Sequence, residues 1–382
     1  MKYLFFYCDV EWELFNRREF ILEMSEVLPD WEVVAINRPS SLVPNVFRKK
    51  KVMDVFDTFF RPRVQNIGSV KLVRPFTLFH DHIGGKLLEG RGNWLQKIFI
   101  EFSLKRVGTT PTLNDEVVIW LYEQPQWQFA KLFSRTKKNI VWEIFDDYRL
   151  TAQGRRRKMW IDCESNMLSN VDHILTLTES IKAKYTGLHN QVSVMGNGYP
   201  SGLFYPRTDV PKELQLVSGK VVMYLGVIRD WIDFELLKSL VLVNKELNFV
   251  FVGPVVANVR SEIDNLSQQN NFFYLGAKKR QEVPEYMSAA DVAIVPYIKN
   301  KFTASVKPIK LFEFLACGVP VVTTTNADLR SVKGAVYIAK NNDFQYALDA
   351  AICEADKGCC IKLAAPWSWN SVAMRVKLDL GL

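Results

Sequence analysis

The stretch SVKPIKLFEFLACGVPVV, residues 305–322, decides the fold. Pro308 opens a helical run over 308–317, since its fixed φ suits a first turn and its missing N–H costs nothing there. Ile309, Leu311, Phe312, Phe314, Leu315 and Ala316 leave little polar face, so this helix is expected to be buried. Gly318 closes it as a left-handed cap, and Val319-Pro320 leads into a buried strand. Lys310 and Glu313 stand three apart, on one face of the helix. One reading is a surface ion pair. The other is a ligand site. A helix start with a lysine beside it suits a pyrophosphate. A carboxylate one turn deeper can accept from both hydroxyls of a ribose.

Outward from this stretch, short apolar runs alternate with helical patterns along the whole chain. In the first half the strand candidates are 3–8, 31–36, 70–76, 116–122, 139–145, 173–178 and 192–196. In the second half they are 220–226, 248–253, 271–276, 292–297, 320–324 and 335–339. The runs are continuous rather than alternating, as expected for parallel strands covered on both faces. The fold class is α/β, with two doubly wound, Rossmann-like domains facing a central cleft. Pro, Gly and Ser gather in 197–220, where helical and strand periods both lapse. The expected domains are therefore 1–200 and 201–365, with 366–382 as a terminal amphipathic helix that crosses back to the first.

Two domains also suit 382 residues, too many for one ordinary core. No apolar run reaches eighteen residues, so no transmembrane helix is expected. The apolar start YLFFYC (3–8) reads as a first strand rather than a signal peptide, because acidic residues follow it at once. The six cysteines form no Cys-x-x-Cys pair and the four histidines no ligand pair, which leaves no metal site and points to a reducing, cytoplasmic setting. The net charge of +8 gathers in first-half clusters at 47–51, 61–63, 105–108 and 154–158. One reading is solvated loops. The mixture of Lys, Arg and Phe in 47–63 also suits an anionic membrane surface. No nucleic-acid motif is present, although basic patches alone would also suit a non-catalytic polyanion binder.

A second constellation is NIVWEIFDDYRL, residues 139–150. Asp146 and Asp147 fall where a strand runs out. They read either as a solvated turn or as a general base, with Asp146 taking the proton of an attacking hydroxyl and Asp147 beside it. Asp9, Glu11, Trp12 and Arg17 follow the first strand, and Tyr122, Glu123 and Trp127 follow a later one. In a doubly wound sheet that is the ligand side. Asp9, Trp12, Arg17, Glu123 and Asp147 are thus candidate acceptor contacts.

SVKPIKLFEFLACGVPVVTT resembles the nucleotide-sugar signature of GT-B glycosyltransferases that build bacterial surface polysaccharides. VVMYLGVIRDWIDFELL (221–237) and NFVFVGP (248–254) resemble the first two strands of their donor domain. The resemblance implies transfer of a sugar from a UDP-sugar to a glycan or lipid-linked hydroxyl at the inner face of the cell membrane. It implies Glu313 on the ribose, Lys310 on the diphosphate, Tyr297 and Val283 near the base, and Gly226, Gly253 and Arg229 around the phosphates. It also implies that no metal cofactor is needed. Many retaining members carry Glu where this chain has Ser305, and an Arg where it has Val227. VWEIFDD (141–147) is similar to the strand that ends in the base of inverting enzymes such as the glucuronosyltransferase of xanthan assembly, which places Asp146 at that base. A retaining transferase and a nucleotide-sugar 2-epimerase are the alternatives on the same fold.

Overall fold

The computed structural model describes residues 1–8, 10–37, 40–41, 63–77, 92–133, 136–145, 154–300, 303, 308–324, 330–339 and 343–382. The chain divides into two units, Met1–Met195 with Ala373–Leu382, and Gly196–Val372.

The first unit contains β1 (Lys2–Tyr7), β2 (Trp31–Ile36), β3 (Ser40–Ser41), β4 (Arg63–Ile67), β5 (Val70–Arg74), β6 (Phe76–Thr77), β7 (Glu116–Leu121), β8 (Lys138–Ile144), β9 (His173–Thr176) and β10 (Val192–Val194). Eight of them form one sheet in the order β10-β9-β8-β7-β1-β2-β5-β4. Its pairings are parallel except at the edge, where β4 runs antiparallel to β5. β1 and β7 are buried from their second residue onward, as their unbroken apolar sequence requires. The sequence reading missed β4. Val64, Gln65 and Asn66 are exposed, so the strand has no apolar period to read. It reaches β5 through Gly68, whose φ of +57° suits the tight turn. The basic run 154–158 opens the helix Gly154–Leu168 rather than forming a loop.

Trp12 and Arg17, read above as acceptor contacts, are core residues. Trp12 is 5% exposed and Arg17 1%. The Arg17 Nε donates to Oε1 of Glu143 on β8 at 2.5 Å, and Trp120 Nε1 donates to its Oε2 at 3.0 Å. A guanidinium can be buried this deep because a carboxylate and an aromatic ring face it; Phe145 lies 5.5 Å from its centre. These side chains tie the segment after β1 to the strand that precedes Asp146.

The second unit holds β11 (Lys220–Leu225), β12 (Leu247–Val252), β13 (Phe272–Tyr274), β14 (Val292–Val295), β15 (Val321–Thr323) and β16 (Val336–Ile338). They form an all-parallel sheet in the order β13-β12-β11-β14-β15-β16. Counted within the unit this is 3-2-1-4-5-6, with the order reversing between β11 and β14. The helix Ile309–Ala316 precedes β15, with Pro308 as its N-cap residue. Val319 N–H bonds Phe314 O at 3.0 Å and Gly318 N–H bonds Leu315 O at 2.9 Å, which is a Schellman cap. Gly318 adopts a φ of +80° to make it.

The terminal helix Trp369–Leu380 begins in the second unit, and its residues from Ala373 onward group with the first. There Lys377 Nζ donates to Val27 O at 2.8 Å and an Arg375 nitrogen to Met195 O at 3.2 Å. Among the described residues no helix is long and apolar enough to cross a membrane.

Candidate functional site

Gly226, Gly253, Tyr297 and Lys310, all read above as ligands, gather at the carboxyl ends of β11, β12 and β14, where a doubly wound sheet binds its ligand. Gly226 follows β11 and Gly253 follows β12, with φ of +139° and +140°. Their backbones are pinned side by side. Gly226 N–H donates to Val252 O at 2.9 Å and Gly253 N–H to Gly276 O at 2.8 Å. A Cβ on Gly253 would lie 2.0 Å from the Gly226 oxygen, so only glycine fits.

A Cβ on Gly226 would lie 2.3 Å from the ammonium of Lys310. The bare backbone of the turn therefore makes the space that Lys310 occupies. Lys310 is half-buried. Its Nζ donates to the hydroxyl of Tyr224 at 3.1 Å and sits 4.3 Å from the Tyr224 ring centre and 5.7 Å from that of Tyr297. Among the described residues no carboxylate pairs with it. Burial pulls its pKa down, but the phenol oxygens of Tyr224 and Tyr297 outweigh that, and the net direction is upward. Burial pushes the Tyr297 phenol up to about 12. At neutral pH the site thus presents a positive charge, with the neutral Tyr297 phenol beside it.

One turn on, Glu313 is buried and its carboxylate accepts from an Arg280 nitrogen at 2.7 Å. The Arg280 guanidinium also lies 4.5 Å from the Phe204 ring centre. The two charges of the opening stretch therefore do not pair with each other. Arg280 and Tyr224 were missed by the sequence reading. Neither belongs to the helix, and only the strand order brings them to it.

The loop that carries Arg280 is tied down by Lys278, whose Nζ donates to Glu213 Oε1 at 2.7 Å; Tyr286 donates to the same oxygen at 3.0 Å. The Lys278 bond, the Glu213 backbone and Tyr286 together lower the Glu213 pKa from 4.5 to about 2. Because the folded value is depressed, the tie stabilises above pH 4.5 and is lost as pH falls towards 2. Glu213→Gln is expected to flatten the acid limb of the second unit's unfolding profile between those values. An unchanged limb in pH-scanned thermal melts would contradict it.

Of the other candidates, Val283 is buried at the start of the short helix Val283–Ser288, and Tyr297 follows β14. Arg229 pairs with Asp230 at 2.9 Å and covers the Trp231 ring at 4.3 Å. Glu123 is half-buried, and its N–H bonds Gln126 Oε1 at 3.1 Å. Asp9, Asp146, Asp147, Ser305 and the basic stretch 47–62 lie outside the described residues.

Comparisons with known proteins give first the class. The chain matches sucrose-phosphate synthase of Thermosynechococcus elongatus with a TM-score of 0.68 and 15% identity, over 100% of this chain and 98% of that one. It matches HepE of Anabaena, solved in complex with UDP, with a TM-score of 0.67 and 11% identity over 100% of each. The fold is that of the GT-B glycosyltransferases. More particularly, residues 219–355, which lie within the second unit, match the family "Glycosyl transferases group 1". TuaH of Bacillus subtilis (strain 168), named for glycosyl transfer in teichuronic acid biosynthesis, is 31% identical over 198 residues, 48% of this chain and 50% of TuaH. The chain thus spans about half the length of the curated relative it matches.

Proposed function

We propose that this chain is a glycosyltransferase that moves a sugar from a UDP-sugar to a hydroxyl of a growing glycan. The observation that carries the reading is Lys310: a half-buried ammonium without a carboxylate partner among the described residues, set against a turn of bare glycine backbone. That is an environment for an anion. The diphosphate sits against Gly226 and Lys310, with Arg229 at its edge. Glu313 takes the ribose hydroxyls in place of Arg280, and Tyr297 and Val283 lie towards the base. The group 1 match supports the donor class, and the UDP held by HepE supports the nucleotide. The name of TuaH supports a glycan acceptor.

In the reaction, the acceptor oxygen bonds to the anomeric carbon as the bond from that carbon to the diphosphate oxygen breaks. The departing electron pair stays on UDP, where Lys310 balances it. Asp146 takes the hydroxyl proton as the acceptor attacks directly from the face opposite the diphosphate, and this single displacement inverts the anomeric centre. Ser305 in place of a second glutamate favours this course over retention. Lys310 supplies the positive charge, and no metal enters this reading. The Lys, Arg and Phe of 47–63 suit docking to an anionic membrane surface that carries a lipid-linked acceptor, at the cytoplasmic face.

The test is calorimetric titration of UDP, with GDP, ADP and CMP as controls, into wild type and Lys310→Ala. Selective UDP binding is expected, weakened about 10- to 100-fold by the substitution, the effect of losing a charge-assisted contact. Wild type that binds no nucleotide would overturn the reading.

A further inference from the structure

One buried phenol touches two parts of this site. Tyr224, the next-to-last residue of β11, has no exposed surface, and its ring stacks on Phe251 with centres 5.1 Å apart. Its hydroxyl donates to Val227 O at 2.9 Å and accepts from Lys310 Nζ at 3.1 Å. Its proton goes to the backbone of the turn, and a lone pair faces the ammonium. Gly226 lies between them, where any Cβ would displace Nζ. The Val227 N–H beside it has no hydrogen-bond partner among the described residues.

We infer that Tyr224 is the positioning residue of the anion site, with its hydroxyl locking the Gly226–Val227 turn and the Lys310 ammonium into one register. The inference rests on the donor-site reading above and adds a residue which that reading does not use. A diphosphate needs donors from both sources at once. Lysine is a flexible point charge, and a turn held only by its own backbone can tilt. A hydroxyl bonded to both removes those freedoms before the ligand arrives, which strengthens binding without touching it. The phenol ring provides the buried anchor, and its oxygen provides the coupling.

Tyr224→Phe separates the two, because it keeps the stack on Phe251 and deletes only the hydroxyl. The experiment titrates UDP and uridine into wild type, Tyr224→Phe, Lys310→Ala and the double variant. UDP affinity is expected to fall roughly tenfold in Tyr224→Phe, the loss that accompanies one hydrogen bond to a charged group. Uridine, which lacks the diphosphate, should bind all four proteins within about twofold. The double variant should lose less UDP affinity than the two single losses combined, since the hydroxyl then has no ammonium to place and only the turn to hold. Equal losses for UDP and uridine would make Tyr224 a general packing residue and overturn the inference. So would additive losses in the double variant. If Lys310→Ala weakens UDP binding and Tyr224→Phe does not, the donor site stands and the positioning role falls. If wild type binds no UDP, both fall.

Discussion

Asp146→Asn is expected to cut sugar transfer by about 100- to 10,000-fold and to leave UDP affinity within about twofold. Asparagine keeps the shape of the side chain and can still accept a hydrogen bond, but it cannot take a proton from a hydroxyl at neutral pH. A sugar hydroxyl is a poor nucleophile until that proton leaves. Glu313→Ala is the matching contrast. It removes the proposed ribose acceptor and leaves Arg280 without its carboxylate, so it should weaken UDP and leave the chemical step of the bound complex. Paired measurement of transfer rate and UDP affinity checks the division. Equal loss of binding in both variants would defeat it. Undiminished transfer by Asp146→Asn would favour the retaining course, in which no protein base is needed.

Gly253→Ala is expected to be the most damaging single methyl group in the second unit. Two effects combine. Its φ of +140° is closed to side-chain-bearing residues. Its Cβ would also lie 2.0 Å from Gly226 O and 2.7 Å from Gly226 C, both backbone atoms that hydrogen bonds already hold. Strain and overpacking each cost about 1–3 kcal/mol. A total of about 4 kcal/mol would lower the melting temperature of this unit by roughly 10 °C. UDP binding should weaken as well, because relief of the clash shifts Gly226, whose backbone lies against Lys310. Gly276→Ala provides the comparison. Gly276 has a φ of +69°, but a Cβ there meets nothing within 4 Å, so only strain of about 1 kcal/mol applies. Melts in which the two variants lose the same stability would contradict the stacked-turn account.

Much of the fold was legible because parallel strands covered on both faces must be continuously apolar. Runs such as WEVVAI and KVVMYL needed no partner to be recognised, and each is a strand here. The Schellman cap at Gly318 was legible for a similar reason, since only the local backbone decides it. β4 was not, because an exposed edge strand owes its pairing to β5 and not to a pattern of its own.

The same division runs through the candidate site. By itself the sequence determined that Lys310 and Glu313 share a helix face and that Gly226 and Gly253 close their strands. These are local facts, written within a turn or two of chain. Only the tertiary structure decided their partners. Arg280 meets Glu313 from 33 residues away, Tyr224 meets Lys310 from 86, and Arg17 leaves the surface for Glu143 from 126. Helical and strand periods report which side of an element faces the core, not which element lies there. The strand order 3-2-1-4-5-6 sets β11 beside β14 and, with it, a phenol beside an ammonium. Hydrogen bonds and ion pairs act over about 3 Å, so these contacts exist only once the order of the sheet is set.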